Sequence, residues 1–308
     1  MGVLYIVSAE AGAGKTAISA GIAVNLVNAG KKVGYLKPQD AEKGVSGGDI
    51  TFMRKALGLA DSVNAPDIIA GRDTVLVETT MGAKASDAAS KDAYGAVKDM
   101  KAKVIAVEAY TGEPSTHAEL YKGFGDSFLG VIINKVPQAM LKKAKEAAAS
   151  SPVKVLGVIP ESRLLLSITV AELAEGVKGR IVNKTENTGE LVENYLLGAL
   201  TPDSGTDYFM RKSCKAAVIR QERPDMQLAA LETPTAALVL AGSSQPPISS
   251  VLHKANEHGV PVITTESDIN DTVSNIEISI AKARINQDKK LAKLGEIVKQ
   301  NLDMKVFG

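Results

Sequence analysis

The residues Ser8-Ala9-Glu10-Ala11-Gly12-Ala13-Gly14-Lys15-Thr16 form the stretch that decides the fold of this chain. An apolar run over 3–7 precedes it and a helical pattern over 17–27 follows, which gives the order strand, glycine-bearing loop and helix. Glycines let the main chain pass close to a ligand, and N–H groups at a helix N-terminus attract phosphate. In such a loop the lysine reaches the outer phosphates and the threonine hydroxyl binds Mg²⁺. The sequence therefore predicts a nucleotide site.

The loop departs from the spacing GxxxxGK[ST] at one point, because Ala9 occupies the position of the first glycine. A glycine-rich turn that only begins a helix is the alternative interpretation. The strand and helix patterns on either side favour the phosphate loop.

Length and composition limit the classes of protein that fit. A chain of 308 residues is long for a single core, so we expect one large and one smaller domain. Lys and Arg number 36 against 35 for Asp and Glu, and this balance predicts neither a nucleic-acid nor a membrane partner.

The single cysteine, Cys214, excludes an internal disulfide, and we expect it to be an inert core thiol. The three histidines are scattered in polar surroundings, and we expect them to be exposed.

The chain begins its first strand pattern at residue 3, without the pattern of a signal peptide. The sequence also lacks an apolar stretch of the roughly 20 residues that a membrane span needs. We therefore expect a cytoplasmic protein.

Apolar β-branched runs alternate with helical patterns over about the first 180 residues. The runs are 32–36, 74–77, 104–107, 128–133 and 153–159, and the helical patterns are 51–57, 86–100, 114–122 and 138–150. Nearly continuous apolar runs suit strands that are buried on both faces. This alternation predicts an α/β fold, a doubly wound and mostly parallel sheet of the P-loop NTPase type.

A polar stretch without periodicity over 183–189 marks the predicted domain joint. It divides the chain into 1–185, the nucleotide-binding domain, and 186–308, a second and smaller α/β domain. The last segment, 288–302, carries one apolar stripe and must pack on another surface, such as a partner subunit. We expect a homodimer.

Polar residues stand at the predicted strand ends, where ligands bind in open parallel sheets. Lys37, Glu78 and Asn134 each close a strand, and Asp49 lies in the glycine-rich segment before a helix. Mg²⁺ prefers hard oxygen ligands, so Thr16, Asp49 and Glu78 are the candidate metal ligands. Lys37 would place a second positive charge near the γ-phosphate or an acidic substrate.

Each of three candidates has a structural alternative. Asp49 could serve only as a helix N-cap. Lys37 could be a surface lysine that covers apolar neighbours. Asn134 could be a turn residue that holds backbone groups.

The first half resembles the dethiobiotin synthetase family of P-loop proteins, which is related to cobyrinic acid a,c-diamide synthase. The matching segments are SAEAGAGKT, YLKP, GVIINKVP and VLGVIPESRLL. The resemblance implies ATP and Mg²⁺ as cofactors, catalytic roles for Lys15 and Lys37, and an adenine contact from Asn134. We predict that the nucleotide-binding residues are Glu10, Gly12, Ala13, Gly14, Lys15, Thr16, Ala17, Asn134 and Pro160.

Two departures from related families bear on the activity. Dethiobiotin synthetases follow the glutamate with small residues, whereas this chain has the bulkier Glu78-Thr79-Thr80-Met81-Gly82. A related subfamily of ATP-driven dimer switches carries a lysine where this chain has Glu10. These differences favour nucleotide binding over the ligase reaction and over a lysine switch between subunits.

The second half resembles the DRTGG domain, with a degenerate motif Gln221-Glu222-Arg223-Pro224-Asp225 at a predicted strand-to-helix junction. Arg223 and Asp225 are the candidate site for a small-molecule effector or an oligomer contact, with Arg223 as the anion-binding side chain. The alternative is a surface turn in which the two charges merely pair.

A domain like dethiobiotin synthetase followed by a DRTGG domain resembles the N-terminal regulatory part of long phosphotransacetylases. The resemblance implies a regulatory or sensor protein that binds ATP and Mg²⁺. The alternatives are an ATP-dependent ligase that phosphorylates a carboxylate or carbamate, and an assembly module whose phosphate loop is a relic.

Overall fold

The computed structural model describes residues 2–37, 52–54, 57–58, 71–112, 117–198, 205–283 and 287–307. The chain forms two compact units, one of Met1–Ser162 together with Ile285–Gly308 and one of Arg163–Arg284. Each unit contains a mostly parallel sheet with helices, so the predicted α/β class is confirmed. The candidate residue Asp49 lies outside the described residues.

Within the described ranges, the first unit includes six strands and four helices of at least four residues before the chain enters the second unit. The strands are β1 (Gly2–Ser8), β2 (Val33–Leu36), β3 (Thr74–Thr80), β4 (Lys103–Ala109), β5 (Phe128–Val136) and β6 (Val155–Pro160). The helices are α1 (Lys15–Asn28), α2 (Ala88–Asp99), α3 (Ala118–Tyr121) and α4 (Leu141–Ala149), with 3₁₀ turns at Lys122–Ser127 and Gln138–Met140.

The six strands form one parallel sheet in the order β2-β3-β1-β4-β5-β6. The strand order reverses around β1, which is where ligands bind in sheets of this type. Ser8 pairs in register with Thr80, and Ala109 with Asn134. The polar residues that end these strands therefore lie along one edge of the sheet, as the sequence predicted.

Both faces of this sheet are buried. Tyr5 and Val7 of β1 pack on one face with Tyr121 and Phe124. Ile6 is fully buried and points to the other face, because side chains alternate along a strand. This two-sided burial explains why the strands read as continuous apolar runs.

The second unit contains a five-stranded sheet in the order β10-β11-β12-β13-β8 and a two-stranded sheet of β7 and β9. The strands are β7 (Ile168–Thr169), β8 (Arg180–Ile181), β9 (Leu191–Val192), β10 (Asn194–Leu197), β11 (Lys215–Arg220), β12 (Thr235–Ala241) and β13 (Val262–Thr265). The helices are α5 (Arg163–Leu166), α6 (Val170–Gly176), α7 (Gly205–Phe209), α8 (Pro224–Leu231), α9 (Ser249–Glu257) and α10 (Ile269–Ala281). Among the described strands of the larger sheet, β8 alone is antiparallel to its neighbour.

The division between the units differs from the predicted joint at 185/186. The polar stretch over 183–189, which ends in a 3₁₀ turn at Asn187–Gly189, is fixed to the second unit. The Asn183 side chain donates to the carbonyl of Val260 and accepts from the amide of Val262. Asn187 likewise donates to the carbonyl of Gly259. Low hydropathy marked this segment as a joint, whereas its amide side chains pair with backbone groups and hold it in place.

The last helix, α11 (Asp288–Asn301), returns to the first unit and packs on α1. Gly21 and Gly295 allow the close approach, since a Cβ at Gly21 would meet Val298 and one at Gly295 would lie 3.0 Å from Val24. The apolar stripe of this segment therefore covers the chain's own helix. No partner subunit is required to bury it.

Cys214 is exposed and has a φ of 47°, so the expectation of a core thiol is wrong. It occupies the turn before β11, and the side chain that is buried at this point is that of Lys215. None of the helices in the described ranges is long and apolar enough to cross a membrane.

Candidate functional site

The loop between β1 and α1 has the backbone that a phosphate site needs. Gly12 and Gly14 have φ angles of 76° and 96°, a region that glycine adopts without a steric penalty. Gly14 is the N-cap of α1, and the first turn of this helix has no acidic residue. The first N–H groups of a helix lack partners within it, so this end of α1 favours an anion.

Lys15 is only 9 % exposed and lies against the sheet edge. Its Nζ donates to Ser8 Oγ at 2.6 Å and to Thr80 Oγ1 at 2.9 Å. Burial lowers the pKa of Lys15, the charge of Glu78 raises it, and the nearby charge of Lys37 lowers it further. An ammonium group has three donors, so these two bonds to described residues leave one donor for a phosphate oxygen.

Ser8 and Thr80 were not predicted as partners of the lysine. Each is a polar residue at the end of a buried strand, and Ser8 Oγ also donates to the carbonyl of Glu10 at 2.6 Å. Their position at the carboxyl ends of two adjacent strands was the signal that could have identified them.

Thr16 and Glu78 meet beside the loop, since Thr16 Oγ1 donates to Glu78 Oε2 at 2.9 Å. Glu78 is fully buried, and its other oxygen, Oε1, accepts no hydrogen bond of comparable geometry from the described residues. Burial raises the pKa of Glu78, while the nearby hydroxyls of Ser19, Thr16 and Tyr35 and the charge of Lys37 lower it. A buried carboxylate oxygen beside a threonine hydroxyl fits the ligand preference of Mg²⁺.

Asn134 and Lys135 hold the loop from the end of β5. Asn134 Nδ2 donates to the carbonyl of Ala13 at 2.9 Å, and Lys135 Nζ donates to the carbonyl of Gly12 at 2.8 Å. The Asn134 contact corresponds to the alternative in which this residue holds backbone groups, and its contact with adenine stays a prediction. Sequence reasoning missed Lys135, although it directly follows a predicted site residue.

The remaining candidates of the first unit occupy different surroundings. Lys37 follows β2 and lies close enough to affect the pKa of both Lys15 and Glu78. Glu10 is exposed in the loop between β1 and α1, and Pro160 ends β6 opposite Val136. The roles of these residues stay predictions.

A second polar cluster, which the sequence did not predict, lies at the end of β4. Glu108 Oε1 accepts from the Tyr121 hydroxyl at 2.7 Å and lies 3.2 Å from His117 Nδ1. Burial and the charges of Glu108 and Glu10 raise the pKa of Tyr121 far above its ordinary value. His117 is thus partly buried and paired, contrary to the expectation of an exposed side chain. The signal was weak because the two partners of Glu108 follow it by 9 and 13 residues.

In the second unit, Arg223 and Asp225 flank the start of α8 and pair with each other. Arg223 Nε and Nη2 donate to the Asp225 carboxylate at 2.9 and 2.7 Å. This pairing lowers the pKa of Asp225 and raises that of Arg223. The geometry agrees with the paired-turn alternative, and the effector role stays a prediction.

Comparison with protein families identifies the two parts of the chain. Residues 4–172 match the model of the CobQ/CobB/MinD/ParA nucleotide binding domain. The chain belongs to this family. Residues 172–279 match the DRTGG domain, so a P-loop domain is followed by a DRTGG domain, as the resemblance implied.

Two curated relatives are phosphate acetyltransferases. That of Pseudomonas putida is 22 % identical and that of Pseudomonas aeruginosa 24 % identical, in each case over 98 % of this chain and 51 % of the relative. The chain therefore spans about half the length of the curated relatives it matches.

Two solved structures resemble parts of the fold at low similarity. The MinD cell division protein of Aquifex aeolicus is 18 % identical over 54 % of this chain and 84 % of its own, with a TM-score of 0.37. The second structure contains the CBS and DRTGG domains of the regulatory region of Clostridium perfringens pyrophosphatase, complexed with diadenosine tetraphosphate. It is 13 % identical over 50 % of this chain and 77 % of its own, with a TM-score of 0.33. At these values the likeness is too remote to bear on function.

Proposed function

We propose that the first unit binds ATP together with Mg²⁺, and that the protein is a regulatory or sensor protein related to the N-terminal part of phosphotransacetylase. The observation that carries the proposal is the buried Lys15, which two hydroxyls hold at the edge of the sheet beside a helix N-terminus. A lysine fixed in this way meets a phosphate without a large loss of side-chain entropy.

Thr16, Glu78 and the predicted ligand Asp49 would hold the metal. The fully buried Glu78 supports this role, because its carboxylate lies beside the Thr16 hydroxyl and burial disfavours its charged form, which a bound cation would stabilise. Mg²⁺ held by these residues would supply positive charge that neutralises part of the charge of the phosphates. Lys15 would contact the same phosphate group from the side of β1 and β3.

An ATP-dependent ligase of the dethiobiotin synthetase type is the second candidate. The closeness of Lys37 to Lys15 and Glu78 favours it, because a second cation near the phosphate would stabilise charge on a transferring phosphoryl group. The bulky residues Thr79, Thr80 and Met81 after the glutamate favour the sensor.

Thermal and chemical unfolding with Mg²⁺–ATP tests nucleotide binding. At about 100 times its dissociation constant, the nucleotide should stabilise the fold by roughly 2.7 kcal/mol. We expect Lys15→Ala to lose this gain, whereas Lys32→Ala, at an exposed lysine directly before β2, should retain it. A wild-type protein that no purine nucleotide stabilises would contradict the proposal.

Phosphate release separates the sensor from the ligase. We expect release to stay at background when carboxylates, amines or carbamates are added with Mg²⁺–ATP. Release that depends on one of these compounds, and that Lys37→Ala abolishes, would favour the ligase.

A further inference from the structure

Lys135 has a backbone conformation that its residue type disfavours. It lies within the last residues of β5 with a φ of 59°, in the left-handed region where a side chain crowds the backbone. The pairing of β5 with β6 shifts register between Ile133 and Val136, around this residue. Glycine or asparagine would adopt this conformation more easily. A lysine at this position therefore suggests that its side chain makes a contact that offsets the strain.

The side chain of Lys135 reaches the phosphate loop. Its Nζ donates to the carbonyl of Gly12 at 2.8 Å, across 123 residues of sequence. The next carbonyl, that of Ala13, accepts from Asn134 at 2.9 Å. Two consecutive loop carbonyls are therefore bound by two consecutive residues of β5.

Holding these carbonyls also fixes the direction of two N–H groups. A trans peptide is planar, and its C=O and N–H point in opposite directions. The Gly12 carbonyl shares its peptide with the amide of Ala13, and the Ala13 carbonyl shares its peptide with the amide of Gly14. When the carbonyls are bound on the β5 side, the two N–H groups are directed to the other side of the loop.

We propose that Lys135 is a positioning residue of the phosphate site, which orients the Ala13 amide toward the bound phosphates without touching the ligand. This inference rests on the proposed nucleotide binding. It assigns to Lys135 a role in affinity for the polyphosphate part of the nucleotide, and its strained backbone is the cost of placing a long cationic side chain beside the loop.

Calorimetric titration of the whole chain with Mg²⁺–ATP and with Mg²⁺–tripolyphosphate tests the proposal, because tripolyphosphate has no base or sugar. Removing a charge-assisted hydrogen bond should weaken binding of both ligands by about tenfold in Lys135→Met. Lys135→Arg keeps a long cationic donor and should retain most of the wild-type affinity. Lys142→Met, at an exposed lysine of α4, is the matched control and should bind like the wild type.

Three results would overturn the proposal: unchanged binding in Lys135→Met, a loss for ATP but not for tripolyphosphate, or an equal loss in Lys142→Met. The second would show a contact with the base or sugar, and the third a general effect of charge. If the wild type binds neither ligand, the proposed function fails. Amide hydrogen exchange of residues 9–16 then tests whether Lys135 orders the loop. Faster exchange in Lys135→Met supports this role, and unchanged exchange refutes it.

Discussion

Lys15 and Lys215 are both buried lysines, and burial lowers the pKa of both ammonium groups. Lys15 lies at the carboxyl edge of the first sheet and donates to the hydroxyls of Ser8 and Thr80. Lys215 begins β11 at the amino edge of the second sheet and donates to the Thr233 hydroxyl and the Pro234 carbonyl. The two lysines resemble each other in burial and differ in position.

Their surroundings explain why only Lys15 belongs to a candidate site. Lys15 has the carboxylate of Glu78 nearby and a glycine loop with a helix N-terminus beside it. The described contacts of Lys215 are neutral oxygens and the ring of Phe209, whose centroid is 6.0 Å from Nζ. A buried lysine is thus not by itself a binding site. The edge of the sheet at which it lies decides whether a ligand can reach it.

The largest expected effect concerns Lys215 and the pH dependence of folding. Its pKa is lowered to about 8 from 10.5, so the folded protein binds this proton more weakly than the unfolded chain. The free energy of unfolding should therefore rise from pH 8 to 10.5 by up to about 3 kcal/mol relative to Lys215→Met. Urea unfolding of both proteins across this range measures the difference.

A constant difference between wild type and Lys215→Met from pH 7 to 11 would show that Lys215 is hydrated in solution. Mg²⁺–ATP should stabilise Lys215→Met as much as the wild type. A loss of nucleotide binding in this variant would contradict the conclusion that, of the two lysines, Lys15 alone belongs to the nucleotide site.

The second prediction compares two glycines of the phosphate loop. A Cβ at Gly14 would meet the Asn134 amide, whereas one at Gly12 would meet nothing within 4 Å, and both residues have positive φ. Gly14→Ala should cost about 2 to 3 kcal/mol of stability through strain and a displaced Asn134, and Gly12→Ala about 1 kcal/mol through strain alone. If urea unfolding shows that both variants lose the same free energy of unfolding, Asn134 does not hold the loop.

The third prediction concerns the polar cluster at the end of β4. Tyr121→Phe removes the hydroxyl that donates to Glu108 and should cost about 1 to 2 kcal/mol, because a partly buried carboxylate loses a partner. Tyr94→Phe, which removes a 2.6 Å bond to the carbonyl of Leu120, is the matched control and should cost less. Thermal unfolding measures both, and a smaller loss in Tyr121→Phe than in Tyr94→Phe would contradict the prediction.

The smallest effect is expected at Arg223. Its partner Asp225 is about one-third exposed, and exposed ion pairs contribute little to stability. Arg223→Ala should leave the unfolding temperature nearly unchanged without ligand. An anionic compound that stabilises the wild type but not this variant would identify an effector site. The carboxyl edge of the second sheet would then bind a ligand, as is proposed for that of the first sheet.

Much of the fold could be predicted because the strands of parallel sheets carry local signals. The apolar run over 3–7 lies within β1, and the helical pattern over 86–100 contains α2. The loop glycines and Lys15 are likewise close in sequence, so their pattern could be interpreted directly. These features depend on neighbours within a few residues along the chain.

The missed features join residues that are far apart in sequence. Lys135 bonds Gly12 across 123 residues, and Lys15 bonds Thr80 across 65. The apolar stripe of α11 predicted that this helix packs on something but could not show that α1 is its partner. Only the arrangement of the strands brings such pairs together.

The sequence by itself determined the phosphate loop, the alternation of strands and helices, and the line of polar residues at the strand ends, because each depends on local periodicity and residue type. The tertiary structure decided what those residues contact: Ser8 and Thr80 around Lys15, Glu78 beside Thr16, and two residues of β5 on the loop carbonyls. The physical reason is that a hydrogen bond needs its donor within about 3 Å of its acceptor, and the order of strands in the sheet sets that distance.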